Sequence, residues 1–318
     1  MPPNRQANIP LGPGAEFDAV REMLAQWGPQ AQGIGDDAAA LDVPPGHLLI
    51  ASTDASVEGV HFRRDWLSPT EIGGRAAAAA LSDLAAMGAS PIGLLLALGV
   101  PDDWREKLAE LADGVGDTAA KQRCPIVGGN ITRARAGDLS LTITVLGIAR
   151  EPLRRSGARA GDRVWVTGRL GGPGAALRDL LASRVPSPEH LARFVAPVPR
   201  IREAHWLAQR GASAAIDISD GLLADATHVA VASRVTLSLD LDRIPCVEGV
   251  RPADAVVSGE EYELLLAIPA GAGDLAGELE KQFGVPLTEI GVVEPASDAP
   301  VKTRRGRVDP TRGHDHFS

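Results

Sequence analysis

The stretch SPTEIGGRAAAAALSDLAAMGASPIGLLLALGV, residues 68–100, decides the fold. Ser68 offers an N-cap and Pro69 a first helical position, and the alanine-rich text that follows reads as helix to Met87, where Gly88 ends it. Ile92 to Val100 then reads as a strand. The same alternation continues outward in both directions. Upstream, the spacing predicts a helix over 16–27 and a short strand over 47–53. Downstream come a helix from Asp102 to Asp117 and the clearest strand, LSLTITVLGI at 139–148. Arginine-rich text interrupted by Pro152, Gly157 and Gly161 marks a boundary. Beyond it strands are predicted at 163–167, 214–218, 235–241 and 263–268, with helices at 175–182, 201–209, 221–232 and 273–283. Mixed strands and helices in both halves give two α/β domains of the α+β type, residues 1–149 and 150–318. The run Ala76–Ala80 fits a close-packed helix.

Composition narrows the function. With 318 residues, 44% of them hydrophobic, the chain can build two cores of about 150 residues each and is too apolar for disorder. A net charge of -9 argues against a protein that coats nucleic-acid phosphates, but suits an acidic site holding a metal-bound nucleotide. Cys124 and Cys246 lie too far apart in sequence to suggest a metal knuckle or a disulfide framework. No apolar run reaches the ~18 residues of a membrane span. The start, MPPNR, has no signal-peptide apolar core, so a cytoplasmic protein without membrane partners is expected.

The chemistry is written in aspartates. Asp36 and Asp37 follow the glycine turn Gly33-Ile34-Gly35, Asp54 follows a predicted strand, and Asp83 sits inside an apolar helix. Asp217 and Asp220 straddle a strand end and the next helix start in DISDG. A carboxylate in such a place is costly to desolvate unless a positive charge neutralises it. No Lys or Arg recurs beside all of these motifs, and hard Mg²⁺ is the economical counter-charge. Taken singly, Asp54, Asp217 and Asp220 read equally well as caps or turn residues, and Asp83 as a carboxylate satisfied by backbone donors or Arg75. Taken as one metal site, Asp37, Asp54, Asp83 and Asp217 should converge within metal-bridging reach around one cleft between the two predicted domains. A P-loop and a Rossmann glycine fingerprint are both absent. GRLGGPG at 168–174 is either a tight turn or a phosphate cradle at a helix N-terminus, and His314-Asp315-His316 either a surface tail or a metal site.

GIGDDAAAL (33–41), STDASVEGVHF (52–62), LSDLAAMGASP (81–91), IVGGNITR (126–133), RRSGARAGD (154–162), DISDGLLAD (217–225), SGEEYEL (258–264) and GHDHF (313–317) together resemble the thiamine-monophosphate kinase family. Its members use ATP to convert thiamine phosphate to thiamine diphosphate. The resemblance implies the two-domain fold of the aminoimidazole ribonucleotide synthetase-like superfamily, and a homodimer whose N-terminal domains close a β-barrel. It implies several Mg²⁺ ions held by Asp37, Ser52, Thr53, Asp54, Asp83, Asp217 and Asp220. ATP would be held by Gly129, Asn130, Arg155 and Ser219, and thiamine phosphate by His61 and Glu260. In-line transfer to a phosphate oxygen of low pKa needs no strong general base, and none is assigned.

The chain departs from the family's usual text in places. Asn130 stands where an aspartate is usual, Ala80 where an asparagine is usual, VSGEEY at 257–262 replaces SGGEDY, and Thr311 takes the place of an aromatic. These departures keep two other readings open: a relative that uses ATP on another phosphate ester, amide or carboxylate, and a nucleotide-binding protein without turnover.

Overall fold

The computed structural model describes residues 7–304; the HDH tail and Thr311 lie outside them. The described residues fall into two units, 7–84 with 89–151, and 85–88 with 152–304.

The first unit contains α1 (Ala15–Trp27), β1 (Leu48–Val57), most of α2 (Pro69–Ala86), β2 (Ser90–Val100), α3 (Leu108–Lys121), β3 (Ile126–Arg133) and β4 (Ser140–Ala149). The start of α2 is a reciprocal cap, with Ser68 N donating to Glu71 Oε2 at 2.8 Å and Glu71 N to Ser68 Oγ at 3.3 Å. Its alanines are buried because α2 and α3 touch backbone to backbone: a Cβ on Gly73 would lie 2.1 Å from the Leu111 carbonyl oxygen. Trp27 secures α1 by donating from Nε1 to the Ala112 carbonyl at 2.9 Å.

The sheet runs β1-β4-β2-β3, antiparallel except for β2 with β3. Its period of two sorts the side chains onto two faces. Leu94, Leu96 and Leu98 pair with Val145, Ile143 and Leu141 on the buried face beneath α2. Leu95, Ala97, Thr142 and Thr144 lie on the opposite, more open face.

The second unit contains β5 (Arg163–Thr167), α4 (Gly172–Leu181), α5 (Pro188–Val195), α6 (Ile201–Gln209), β6 (Ala214–Asp217) and α7 (Leu222–Ser233). It continues with β7 (Val235–Asp240), α8 (Pro252–Ala255), β8 (Leu264–Ile268), α9 (Leu275–Phe283), β9 (Leu287–Pro295) and β10 (Val301–Arg304). Six strands in the order β10-β7-β9-β5-β8-β6 form its sheet. All neighbours are antiparallel except β10 with β7. Val164, Val166, Ile216, Leu265 and Ala267 of the sheet pack with Leu222, Leu223, Ala226 and Val229 in its core. Neither sheet closes into a barrel among the described residues. Cys124 and Cys246 are free thiols, and no described helix is long and apolar enough to cross a membrane.

Candidate functional site

In the first unit the sheet divides the aspartates between its faces. Ser52 pairs with Val145 and Asp54 with Ile143, which puts both side chains on the face beneath α2. There Ser52 Oγ donates to Asp83 Oδ2 at 2.5 Å, so the helix carboxylate of the sequence reading meets the strand. Thr53 pairs with Thr144 on the other face, and their hydroxyl oxygens lie 3.0 Å apart. Adjacent strand residues therefore offer their hydroxyls to opposite sides of the sheet.

On that open face lies a cavity of about 570 Å³, lined by the GIGDD turn, Gly128–Asn130, Thr142 and Thr144. Asp37 and Asn130 thus share one wall system, while Asp54 and Asp83 belong to the other face. The turn has a physical reason for its glycine. Gly35 has φ +121, and a Cβ there would sit 2.6 Å from the Ile9 carbonyl oxygen. Asp36 accepts from Asp37 N at 3.0 Å and so braces the turn, leaving Asp37 exposed at its end. His61 lies on the loop after β1, where its Nδ1 accepts from Val57 N at 3.1 Å. That bond puts the proton of a neutral ring on Nε2.

In the second unit the DISDG segment leaves β6 with Asp217 buried and enters α7 through Gly221. Asp225, one turn into α7 and 2% exposed, accepts from Ser219 N at 3.1 Å and Asp220 N at 3.2 Å. Burial, then the nearby carboxylates of Asp217 and Asp220, push the Asp225 carboxyl up to about 7. Asp220, Asp225 and His228 bring one ligand atom each within 4.8 Å of one another. Asp225 and His228 are the residues that sequence reasoning passed over. The signal for Asp225 was present: like Asp83, it is a carboxylate among apolar helix neighbours, Leu222, Leu223 and Ala226.

Beside this segment runs 258–263. Glu260 N donates to the Ser219 carbonyl at 2.7 Å and Tyr262 N to the Ile218 carbonyl at 2.9 Å. The GRLGGPG loop is filled from within the protein. Glu261 accepts from Gly171 N at 2.6 Å, and Ser258 Oγ from Gly174 N at 3.0 Å, so a glutamate and a serine hydroxyl occupy the start of α4. Glu263 is held by Arg200 through two bonds of 2.8 and 2.5 Å. Arg155 is exposed on a short turn whose carbonyl accepts from Ser233 Oγ at 2.7 Å.

Residues 35–149 match the AIR synthase related protein, N-terminal domain, and residues 159–302 the AIR synthase related protein, C-terminal domain. The thiamine-monophosphate kinase of Salmonella typhimurium is 37% identical over 324 residues, covering 95% of this chain and 96% of that one. The chain belongs to the thiamine-monophosphate kinase family. The structure of the thiamine-monophosphate kinase from Stenotrophomonas maltophilia superimposes with a TM-score of 0.81 at 32% identity, covering 94% of this chain and 98% of that one. AaThiL complexed with AMPPCP and TMP gives a TM-score of 0.77 at 30% identity over 95% of this chain and 96% of that one. Thiamine-monophosphate kinase similarity thus runs through both units, including the aspartate-bearing segments of each.

Proposed function

We propose that this chain is a thiamine-phosphate kinase, which transfers the γ-phosphoryl group of ATP to thiamine phosphate and releases thiamine diphosphate and ADP. The observation that carries this reading is the full-length likeness to AaThiL complexed with AMPPCP, an ATP analogue, and TMP, thiamine monophosphate.

The donor chemistry fits hard divalent cations. Asp225 is pushed up by burial and then by the carboxylates of Asp217 and Asp220, a situation that a bound cation relieves. Asp37, Ser52, Thr53, Asp54, Asp83, Asp217 and Asp220 are assigned as Mg²⁺ ligands. Because Ser52 and Thr53 face opposite sides of β1, their hydroxyls serve different ions, or one of the two residues contributes through its carbonyl. Bound Mg²⁺ would screen the repulsion between the donor and acceptor phosphates.

The chain's own residues do the positioning. Gly129, Asn130, Arg155 and Ser219 are assigned to ATP, where the Arg155 guanidinium supplies phosphate-directed charge. His61, with its proton on Nε2, donates to the thiamine phosphate oxygens, and Glu260 faces the cationic thiamine. No general base is assigned, because the acceptor oxygen is already ionised.

We further assign a cytoplasmic homodimer formed through the N-terminal domain of the sequence reading, residues 1–149, with residues 150–318 as the second domain of the enzyme. Leu48 and Leu49 on edge strand β1 are 49% and 52% exposed, and pairing into a barrel would cover such an edge. Light scattering at micromolar concentration tests this, and a monomer overturns it. For the reaction, chromatography of the products from ATP, Mg²⁺ and thiamine phosphate should show thiamine diphosphate. Its absence, with ATP consumed on another phosphorylated acceptor, would reject the assignment.

A further inference from the structure

Glu261 has no role in the scheme above, yet its side chain is anchored directly beside Glu260, the residue assigned to the substrate. It is 7% exposed. Its Oε1 receives two donors, Gly171 N at 2.6 Å and Ser258 Oγ at 2.5 Å, and Ser258 in turn accepts from Gly174 N. The segment it anchors needs anchoring. Glu260 and Tyr262 both have left-handed backbones, with φ of 60 and 52, which non-glycine residues adopt only when their surroundings impose it. Those two residues are the ones whose amides bond the Ser219 and Ile218 carbonyls in the DISDG segment. On one side of the strained segment, then, stand backbone bonds to DISDG. On the other stands Glu261, tied to the glycine loop that opens α4.

We propose that Glu261 is a positioning residue for the kinase reaction, which holds the 258–263 segment so that Glu260 is set for thiamine phosphate. This rests on the assignment of Glu260 to the substrate. Two features bear on how Glu261 does this. Both donors meet the same oxygen, so a glutamine carbonyl can take its place. Burial also pushes the Glu261 carboxyl up to about 8, against the Ser258 and Gly171 hydrogen bonds, which favour the ionised form; a glutamine keeps the acceptor oxygen without the buried charge.

The test compares Glu261→Ala, Glu261→Gln and Ser258→Ala in the full chain, by steady-state kinetics and by hydrogen exchange on the ligand-free protein. Glu261→Ala should raise the KM for thiamine phosphate about tenfold, while kcat and the KM for ATP change by less than about threefold. Glu261→Gln should restore the KM. Exchange of the Glu260 and Tyr262 amides should quicken in Glu261→Ala and not in Glu261→Gln, while the amides of β5 and β8 keep their protection. A wild-type KM in folded Glu261→Ala, or unchanged exchange of those two amides, would overturn the proposal. Should Glu261→Ala fail to fold, Ser258→Ala decides: a KM raised about threefold supports positioning, and a wild-type KM rejects it. If the wild-type protein makes no thiamine diphosphate, the activity assignment fails, and the exchange comparison still decides whether Glu261 holds the segment.

Discussion

The two units carry the same residue type under opposite physical conditions. In the first, aspartates stand on a strand, a helix and an exposed turn, are sorted by the pleat onto two faces, and lean on local donors such as Ser52. In the second, Asp217 and Asp225 are buried at a strand-to-helix junction, where burial and then the carboxylates of Asp217 and Asp220 raise the proton affinity of Asp225. Carboxylates on a pleated sheet can be aimed separately, so each is a ligand defined by its direction. At the packed junction, burial and repulsion together couple the charge of Asp225 to pH. The first arrangement suits positioning, the second suits strong but pH-dependent cation capture.

The largest effect expected from this contrast is at Asp83. Asp83→Asn keeps an oxygen that can accept from Ser52 Oγ but removes the charge, so turnover should fall about 10²–10³-fold while thermal stability without metal holds. Normal turnover, measured as thiamine diphosphate formed, would make Asp83 a structural residue and remove one side of the comparison.

The pleat itself is tested by coupling. Ser52 touches Asp83, whereas Thr53 turns to Thr144, so Ser52→Ala and Asp83→Asn should be non-additive in kcat by about fivefold or more, on the order of 1 kcal/mol. Thr53→Ala combined with Asp83→Asn should be additive. Equal coupling for both pairs would mean that the faces do not divide the labour.

Much of this was legible in the sequence, and the gaps have physical causes. β5 and α6 fall where strand and helix patterning put them, because each carries its own apolar period. β3 is not announced by periodicity. Gly128, Gly129 and Asn130 interrupt the apolar text, and a glycine is needed there because a Cβ on Gly129 would lie 1.9 Å from the Leu96 carbonyl oxygen. β1 runs on to Val57, past the apolar stretch that predicts it, since Asp54 and Ser56 are polar strand residues on the α2 face. At the site, Asp83 is legible from its apolar neighbours, which make a lone carboxylate costly to desolvate. The partner Ser52 and the inhabitants of the glycine loop, Glu261 and Ser258, depend on contacts between residues far apart in the chain, which no local pattern encodes.

The pH side of the comparison gives a smaller effect. The Asp225 carboxyl is raised in the folded state, from 3.8 to about 7, so the stability it contributes is complete below about pH 4 and lost as pH rises through about 7. The metal-free protein should therefore melt at a lower temperature at about pH 8 than at about pH 5, and Mg²⁺ should recover the loss. Asp225→Asn keeps an acceptor for the Ser219 and Asp220 amides and removes the ionisation. It should raise the metal-free Tm at about pH 8 by about 2–4 °C and shrink the Mg²⁺ response. A Tm difference between the two proteins that does not vary with pH would show that the junction is not coupled to protons.

The smallest expected effect returns to the first unit and its open face. Asn130 shares a cavity wall with the exposed Asp37 on an edge strand. An amide oxygen can coordinate Mg²⁺ but brings no charge, so the ion it serves should be held more weakly than by a carboxylate. Asn130→Asp adds that charge on the solvent-accessible face, where water screens its repulsion from Asp37 and stability should change little. If the first unit works by direction, the added charge should lower the Mg²⁺ concentration for half-maximal rate about threefold and leave kcat almost unaltered. The same experiment has two adverse outcomes. An unchanged midpoint would mean that no ion sits at Asn130. A loss of thiamine phosphate turnover would mean that the amide is fitted to the phosphates themselves, donating through its NH₂ where a carboxylate would repel them. A rate titration against free Mg²⁺, run on both proteins at one pH well above 7, distinguishes these outcomes, because the Asp225 carboxyl is then ionised in both and the comparison isolates the open face.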